Sequence, residues 1–439
     1  MGFLDRYFGL SAQGTTVRTE VMAGFTTFLT MAYIVLVNPA ILSQTGMPLA
    51  AVAAATCASA AFASILMGLV ANYPLAMAPG MGLNAYFTFT VVKGMGLPWQ
   101  TALGCVFLSG VCFLLLTLGG VRQMIVNAIP KPLFAAVAGG IGLFIAFIGL
   151  KEAGIIVASP ATTVALGDLK TPASALALLG LLIIAVLSAW RIKGAVLIGI
   201  LATTGAAWGL GQVTYQPTPY DLKALTATAF ALDIPAALDI GKTGFGILEI
   251  VFVFLFVDLF DNVGTLVGVS KRAGLMQPDG SIPRLNRILF TDSIASMAGA
   301  VMGTSTVTSY IESAAGVAEG GRTGLTAVVT GLLFLVALFF APYAQFIPAA
   351  ATAPALIIVG ALMMAPLREI DWEDAVIAVP AFLILIGIPL TFSIANGLAF
   401  GITAYAVIKL LRGQARPGDW LLLVLAGLFV ARFIWLSAA

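Results

Sequence analysis

Apolar stretches of about 20 residues recur from one end of this chain to the other, and a helix of that length crosses about 30 Å of hydrocarbon. Barrel strands would instead show short segments of alternating polarity. Only 9% of the residues are charged and 60% are hydrophobic, whereas soluble domains carry about 25% charged residues on their surfaces. The surface must therefore largely face lipid, and we predict an all-α polytopic membrane protein.

The residue types that the chain lacks exclude several kinds of chemistry. There is no histidine, which removes histidine proton relays, most zinc sites and Ser-His nucleophiles. A net charge of +2 gives no reason to expect a nucleic-acid partner. We therefore expect a protein that is not an enzyme and that uses no metal or other cofactor, apart from protons as a coupling ion.

Hydropathy, with Gly, Pro and charge as punctuation, divides the chain into fourteen predicted spans and one further apolar stretch, 420–436. This last stretch could be a fifteenth span or an interfacial helix. The predicted spans are 20–42, 50–71, 76–92, 98–119, 131–150, 173–190, 193–211, 245–267, 285–302, 306–318, 323–341, 350–365, 374–390 and 394–411.

The basic residues support this count. With a cytoplasmic N-terminus, fifteen of the 21 Lys and Arg residues fall at cytoplasmic ends and five in external loops, as the positive-inside rule requires. We therefore predict a multi-pass protein of the plasma membrane, that is, the inner or cytoplasmic membrane.

The two halves of the chain resemble each other weakly. The stretch "IPKPLFAAVAGGIG" (129–142) matches "IPAAATAPALIIVG" (347–360) in its Ile-Pro start and its final Gly, and each belongs to the fifth span of its half. Seven spans per half would place the copies in opposite orientations, as in inverted-repeat transporters. The expected divisions are a first repeat (1–211), an external connecting loop (212–243), a second repeat (244–412) and a C-terminal apolar segment (413–439).

The third and tenth predicted spans are unlike their neighbours. "ANYPLAMAPGMGLNAYFTF" (71–89) is interrupted by Pro and Gly, and "GTSTVTSYIESAAGVAEGG" (303–321) is crowded with Ser, Thr and Gly. Broken backbone at membrane depth is tolerated where protein or a water-filled cavity covers it. A matched pair of such segments, read here as broken half-helices, points to a transporter's binding site, where half-helix N–H groups meet the substrate.

Acidic residues lie beside these segments. Asp258 sits near the middle of the eighth span, Asp261 three residues later on the same helix face, and Glu312 inside the tenth span. A charge there costs several kcal/mol, so each acid either binds something or braces the broken segments. Asp292 and Glu249 are instead expected to be charges near the start of their helices, at the membrane surface.

Other polar and aromatic residues near the interruptions allow two interpretations. Asn84 could contact substrate or cap a helix. The aromatic residues are expected to serve mainly in packing; they are Phe25, Phe28, Tyr33, Phe87 and Tyr310.

Four ordered motifs resemble those of the AzgA-like purine permeases, a branch of the nucleobase–cation symporters related to the nucleobase–ascorbate transporters. They are "FTTFLTMAYIVLVNP" (25–39), "APGMGLNAYF" (78–87), "DLFDNVGTLVG" (258–268) and "SYIESAAGVAEGGRTGLTAV" (309–328). The resemblance implies seven-plus-seven inverted repeats with core and gate domains, a homodimer, elevator-type movement and proton-coupled import of guanine, hypoxanthine or adenine.

By motif position the resemblance also implies site residues. Glu312, Asp258, Asn84 and Gly82 match the substrate-contact positions, while Asp261 matches an acid associated more with structure. The wider family has Asn after the acid or Gln of the tenth span, whereas here Ser313 follows Glu312; this is the AzgA-like pattern and argues against uracil or xanthine.

The chemistry of the site residues fits such substrates. Purines present N–H donors beside ring acceptors, and a carboxylate accepts such donors in charge-assisted hydrogen bonds. Asp258, Glu312 and Asp261 are the candidates for carrying the coupling proton, and the sequence does not choose among them. The main alternative is an anion carrier of the same fold, for sulfate or bicarbonate, but membrane acids without a basic partner would repel an anion.

Overall fold

The structure is a computed structural model that describes residues 2–119, 130–213, 221–239, 246–277, 281–414 and 419–435. Parts of all four predicted regions lie outside these residues. They are 1 and 120–129 of the first repeat, 214–220 and 240–243 of the connecting loop, 244–245 and 278–280 of the second repeat, and 415–418 and 436–439 of the C-terminal segment. Residue 129, the first of the echoed stretch 129–142, is among them.

Helices dominate the first half of the chain, with one short strand in the third predicted span and a hairpin, β2–β3, that the sequence did not predict. The elements are α1 (Phe3–Phe8), α2 (Val17–Met31), α3 (Ile34–Leu42), α4 (Leu49–Leu66), β1 (Met77–Pro79), α5 (Met81–Ala85), α6 (Trp99–Leu118), α7 (Lys131–Glu152), β2 (Ile156–Ser159), β3 (Thr163–Leu166), α8 (Pro172–Ala189) and α9 (Ala195–Gly209). Helices α4 and α5 continue as π-helix through Met67–Ala71 and Tyr86–Gly94.

The second half repeats this pattern. Its elements are α10 (Leu222–Leu225), α11 (Ile234–Leu238), α12 (Gly246–Ala273), α13 (Leu285–Met302), β4 (Val307–Ser309), α14 (Ser313–Ala318), α15 (Gly324–Ala337), α16 (Ala349–Leu362), α17 (Ala375–Thr391), α18 (Ile394–Leu411) and α19 (Trp420–Trp435). Short 3₁₀ segments, Leu338–Phe346 and Ala365–Glu369, follow α15 and α16.

Length and hydropathy mark nine helices of the described residues as able to cross a membrane. Every predicted span coincides with a helix or with a strand followed by a helix. The predicted first span, 20–42, lies within the helical run Val17–Thr45, which is interrupted for two residues because α2 ends at Met31 and α3 begins at Ile34. Several helices are preceded by an N-cap residue whose side chain accepts a hydrogen bond from a backbone N–H of the first turn, a donor that has no partner within the helix. These N-cap residues are Thr16, Thr171, Thr323, Asp374 and Ser393.

The helices pack as two groups. The first helix group comprises α2–α6 and α12–α15, and the second comprises α7–α9 and α16–α19. Packing within the groups is repeated between the halves: α4 packs on α15 as α13 packs on α6, and α7 packs on α17 as α16 packs on α8. Helix α7 contacts α5 and α12, and thus joins the groups.

The two stretches that echo each other in sequence pack together. A Cβ added at Gly142 in α7 would lie 2.7 Å from the carbonyl oxygen of Gly360 in α16, and one added at Gly360 would collide with that of Gly142. Small residues let helix backbones approach this closely in membranes. The final Gly of each echoed stretch therefore serves the contact between the repeats.

Of the two acids expected near the start of their helices, Glu249 lies there and Asp292 does not. Asp292 was predicted to be a surface charge, and this is wrong: it is 0% exposed, about two turns inside α13, and interacts electrostatically with Asp261. Glu249 does lie in the first turn of α12 and is half-buried. The repeat boundaries at 211 and 244 stay predictions.

Candidate functional site

The third and tenth spans meet in a short antiparallel strand pair inside the first helix group. Strand β1 pairs with β4 in the register Met77–Ser309, Ala78–Thr308 and Pro79–Val307. The Gly80 N–H donates to the Thr306 carbonyl (2.9 Å), and the Tyr310 N–H donates to the Ala76 carbonyl (3.0 Å). Both strands are buried, and each is followed by a helix whose N-terminus carries a partial positive charge.

Glu312 lies at the turn between β4 and α14. Its residue is half-buried, and its Oε1 accepts a hydrogen bond of 2.7 Å from the Tyr33 hydroxyl. Tyr33 occupies the break between α2 and α3 and is 2% exposed. The first and tenth spans are thereby joined through a carboxylate and a phenol.

The two aspartates of α12 have different surroundings. Asp258 is 2% exposed, and its Oδ2 accepts from the Ser296 hydroxyl of α13 (3.2 Å), which also lies 3.1 Å from the Val307 carbonyl. Asp261 is half-buried and within electrostatic range of Glu312 and Tyr33. A Cβ at Gly80 would lie 3.8 Å from Asp261 Oδ2, so Asp261 faces the start of the third-span helix.

Asn84 and Gly82 lie in the helix that follows β1. Asn84 is completely buried, and its Oδ1 accepts from the Ser305 hydroxyl of the tenth span. Its Nδ2 has no hydrogen-bond partner among the described residues. Gly82 faces the second helix group, since a Cβ there would lie 2.5 Å from Ile141 Cγ2 of α7.

Further polar atoms without a partner surround the strand pair. Within the described ranges this holds for the buried hydroxyls of Thr306, Thr308 and Ser309 and for both amide atoms of Asn262. Unpaired polar groups are costly inside a protein, so such a concentration marks a place where a polar ligand or water can bind. No group of three or more His, Cys, Asp or Glu side chains suited to a metal ion occurs in the described part of the chain.

The structure thus brings Asp261 and Glu312 together and places Asp258 against α13. Two tyrosines that the sequence suggested for packing have polar roles: Tyr33 bonds to Glu312, and the Tyr310 hydroxyl donates to the Pro79 carbonyl. The one feature of the sequence that could have indicated these polar roles is the position of each tyrosine next to an interrupted helix. Phe28 packs edge-to-face on Phe334 and Phe87 is buried, as expected, whereas Phe25 is 43% exposed and so does not pack inside the protein.

Comparison of sequences connects this arrangement with known permeases. The sequence model of the Permease family matches residues 18–401 of this chain. The chain is 46% identical over 437 residues to the adenine permease AdeP of Escherichia coli (strain K12), covering 100% of this chain and 97% of that one. It is 44% identical over 446 residues to the guanine/hypoxanthine permease PbuG of Bacillus subtilis (strain 168), covering 99% and 100%.

Comparison of structures concerns the fold alone. The transmembrane domain of the cyanobacterial bicarbonate transporter BicA superposes with a TM-score of 0.64 at 16% identity, covering 93% of this chain and 97% of that one. The fold is accordingly the seven-plus-seven inverted repeat with core and gate domains. We call the first helix group, which holds the strand pair, the core domain and the second helix group the gate domain.

Proposed function

Because the chain belongs to the Permease family, and so is a multi-pass membrane transporter rather than an enzyme, we propose that it imports purine nucleobases by proton symport. The observation that carries the proposal is the half-buried Glu312, held by Tyr33 at one end of the strand pair and accompanied by Asp261. The buried amide of Asn84 lies on the adjoining helix.

The substrate follows from hydrogen-bonding chemistry. The carboxylate of Glu312 accepts purine N–H groups, and such charge-assisted bonds are stronger than neutral ones. The Asn84 amide donates to a ring nitrogen or carbonyl. Gly82 keeps the backbone at this point free of a side chain. The similarity to an adenine permease and a guanine/hypoxanthine permease supports purines as the class.

Proton coupling is proposed from the grouping of carboxylates. Asp261 interacts electrostatically with both Glu312 and Asp292, and neighbouring carboxylates titrate as a coupled set. Among the described residues no Lys or Arg forms a salt bridge with Glu312 or Asp261. A proton is therefore the simplest neutralising partner, and Asp258, Glu312 and Asp261 are its candidate carriers.

We further propose an elevator movement of the core domain against the gate domain, carrying the strand pair and its substrate together. The protein would act as a homodimer in the plasma membrane with a cytoplasmic N-terminus, and the basic-residue asymmetry supports this orientation. Anion transport is disfavoured even though the fold is that of BicA, because the carboxylates would repel an anion.

The proposal is tested with purified protein in liposomes. Radiolabelled adenine, guanine and hypoxanthine are offered beside uracil and sulfate, with empty liposomes as control. At least one purine should accumulate under an inward proton gradient, and unlabelled purine should compete. If sulfate accumulates, or if none of the three purines accumulates, the proposed purine import is refuted.

A further inference from the structure

We propose that Tyr33 is a positioning residue for Glu312, an inference that rests on the proposed function. Its ring is 2% exposed, and its hydroxyl donates to Glu312 Oε1 over 2.7 Å. The break between α2 and α3 places this residue beside the tenth span. Tyr33 therefore acts on the substrate through the carboxylate.

The hydrogen bond has two consequences for recognition. It occupies one carboxylate oxygen and leaves the other to accept a purine N–H. It also restrains a side chain with three rotatable bonds, whose freedom would otherwise be lost when substrate binds. A pre-ordered acceptor binds more tightly for this reason.

The test compares Tyr33→Phe with Tyr73→Phe. Tyr73 is a matched control, because it is also 2% exposed and has one hydroxyl hydrogen bond, of 2.6 Å to Ser270. Tyr33→Phe should raise the KM for purine roughly fivefold to tenfold with a nearly unchanged maximal rate, since the freed carboxylate must then lose its rotational freedom when purine binds. Tyr73→Phe should leave KM unchanged.

A second measurement needs no substrate and so separates this inference from the proposed function. A hydrophobic carbodiimide modifies carboxyl groups, and mass spectrometry reports its rate at Glu312. Freed from its partner, Glu312 should react several times faster in Tyr33→Phe than in the parent or in Tyr73→Phe. Equal rates in all three would overturn the positioning role, whatever the transport assay shows; equal KM values in an active transporter would do so as well.

A second inference concerns contacts between the core and gate domains on the predicted external side. The Lys93 ammonium, at the end of the third span, donates to Gln44 Oε1 over 2.7 Å, and Gln44 Nε2 donates to Glu152 Oε1. Gln44 and Lys93 belong to the core domain, whereas Glu152 ends α7 of the gate domain. The amide thus links a cation on one domain to a carboxylate on the other.

Aromatic and backbone contacts continue this junction. The Thr90 hydroxyl of the core domain donates to the Phe392 carbonyl between α17 and α18 (2.8 Å). The Phe392 ring packs edge-to-face on Phe144 and Phe147, with centroid separations of 5.5 and 5.3 Å. The Lys151 ammonium lies 5.8 Å from the Phe392 ring centre.

We infer that Gln44, Lys93 and Glu152, together with Thr90 and Phe392, form an external latch that closes the path from outside. The latch must open whenever the site faces outward. Lys93 is exposed while Gln44 and Glu152 are half-buried, so water can replace their hydrogen bonds when the domains separate. Bonds of this kind can be broken and remade in each cycle.

Ile148 provides a reporter, because it lies one helical turn before Glu152 and is 2% exposed. Ile148→Cys is made in a background without the native Cys57, Cys105 and Cys112. An impermeant maleimide added outside should label it slowly in the parent. Gln44→Leu should accelerate labelling roughly tenfold, as loss of bonds to charged groups shifts the population toward the open state.

Two comparisons complete the test. Gln212→Leu replaces an exposed glutamine of the connecting loop and should not change labelling. The double variant Gln44→Glu with Glu152→Gln exchanges amide and carboxylate, allows the same hydrogen bonds, and should restore the slow rate.

The latch is overturned if Gln44→Leu is labelled as slowly as the parent, or if the double variant is labelled fast. If Gln44→Leu fails to insert, Thr90→Val removes the bond to Phe392 and should accelerate labelling too; parental labelling of it would overturn the latch. Because the assay contains no purine, its outcome is independent of the proposed substrate.

Discussion

Replacing Glu312 by Gln tests the centre of the proposed site with the least change of shape. The amide oxygen can still accept the Tyr33 hydroxyl, which lies 2.7 Å from Oε1 in the parent. The other carboxylate oxygen becomes an N–H₂ group that faces the N–H of a bound purine. Loss of a charge-assisted hydrogen bond costs about 1.5–3 kcal/mol, or roughly tenfold to a hundredfold in affinity.

Calorimetry on purified protein measures this loss directly, and counterflow in liposomes reports whether transport follows it. Glu319→Gln is the matched control. Glu319 ends the same short helix but is 39% exposed and pairs with Lys193 over 2.6 Å, and exposed pairs contribute little. The reasoning is refuted if Glu312→Gln binds purine as tightly as the parent, or if both variants weaken binding equally.

Four further outcomes are expected. Uptake should rise as external pH falls and collapse with a protonophore; uptake that depends on sodium, or on neither condition, contradicts proton coupling. Asp258→Asn should bind purine but lose accumulation against a gradient, leaving exchange; retained accumulation would make Asp258 a structural brace. In a cysteine-free background, impermeant maleimide should label Ser43→Cys but not Ser281→Cys in intact cells, and the reverse would invert the topology. Gly360→Ala should lower stability by about 1–3 kcal/mol through overpacking, seen as a lower thermal midpoint, whereas Gly205→Ala, with open space around its Cβ, should not.

The sequence predicts the positions of the spans because lipid imposes a single requirement. Every backbone polar group must be satisfied within a segment, so hydropathy and length alone locate the helices. The interruption of the third span is predictable because Pro79 lacks a backbone donor and the glycines beside it favour departure from a helix. That the two interruptions pair as strands was not predictable, because no local pattern specifies a three-residue partner some 230 residues away.

The depth at which an acidic side chain is buried is harder to predict than which span it belongs to. Glu20 is completely buried, yet its carboxylate accepts the N–H groups of Thr323 and Thr326 and the Thr326 hydroxyl, and so holds the start of α15. Asp292 lies near a loop rich in basic residues, which suggested the membrane surface. The packing of α13 between α4 and α6 buries it instead. An acid's depth depends on which helices surround it, and sequence position does not record this.

The two aspartates of α12 show the limit of spacing arguments most clearly. Residues three apart lie on one side of a helix but differ in direction by about 60°. In a helix enclosed by others this angle is enough to send Asp258 toward Ser296 of α13 and Asp261 toward Gly80 and Glu312. The resemblance to purine permeases assigns a substrate role to Asp258, whereas the structure shows an electrostatic interaction between Asp261 and the carboxylate of the tenth span. Spacing therefore predicts that both acids lie on one side of α12, but the surrounding helices decide which neighbours each acid meets.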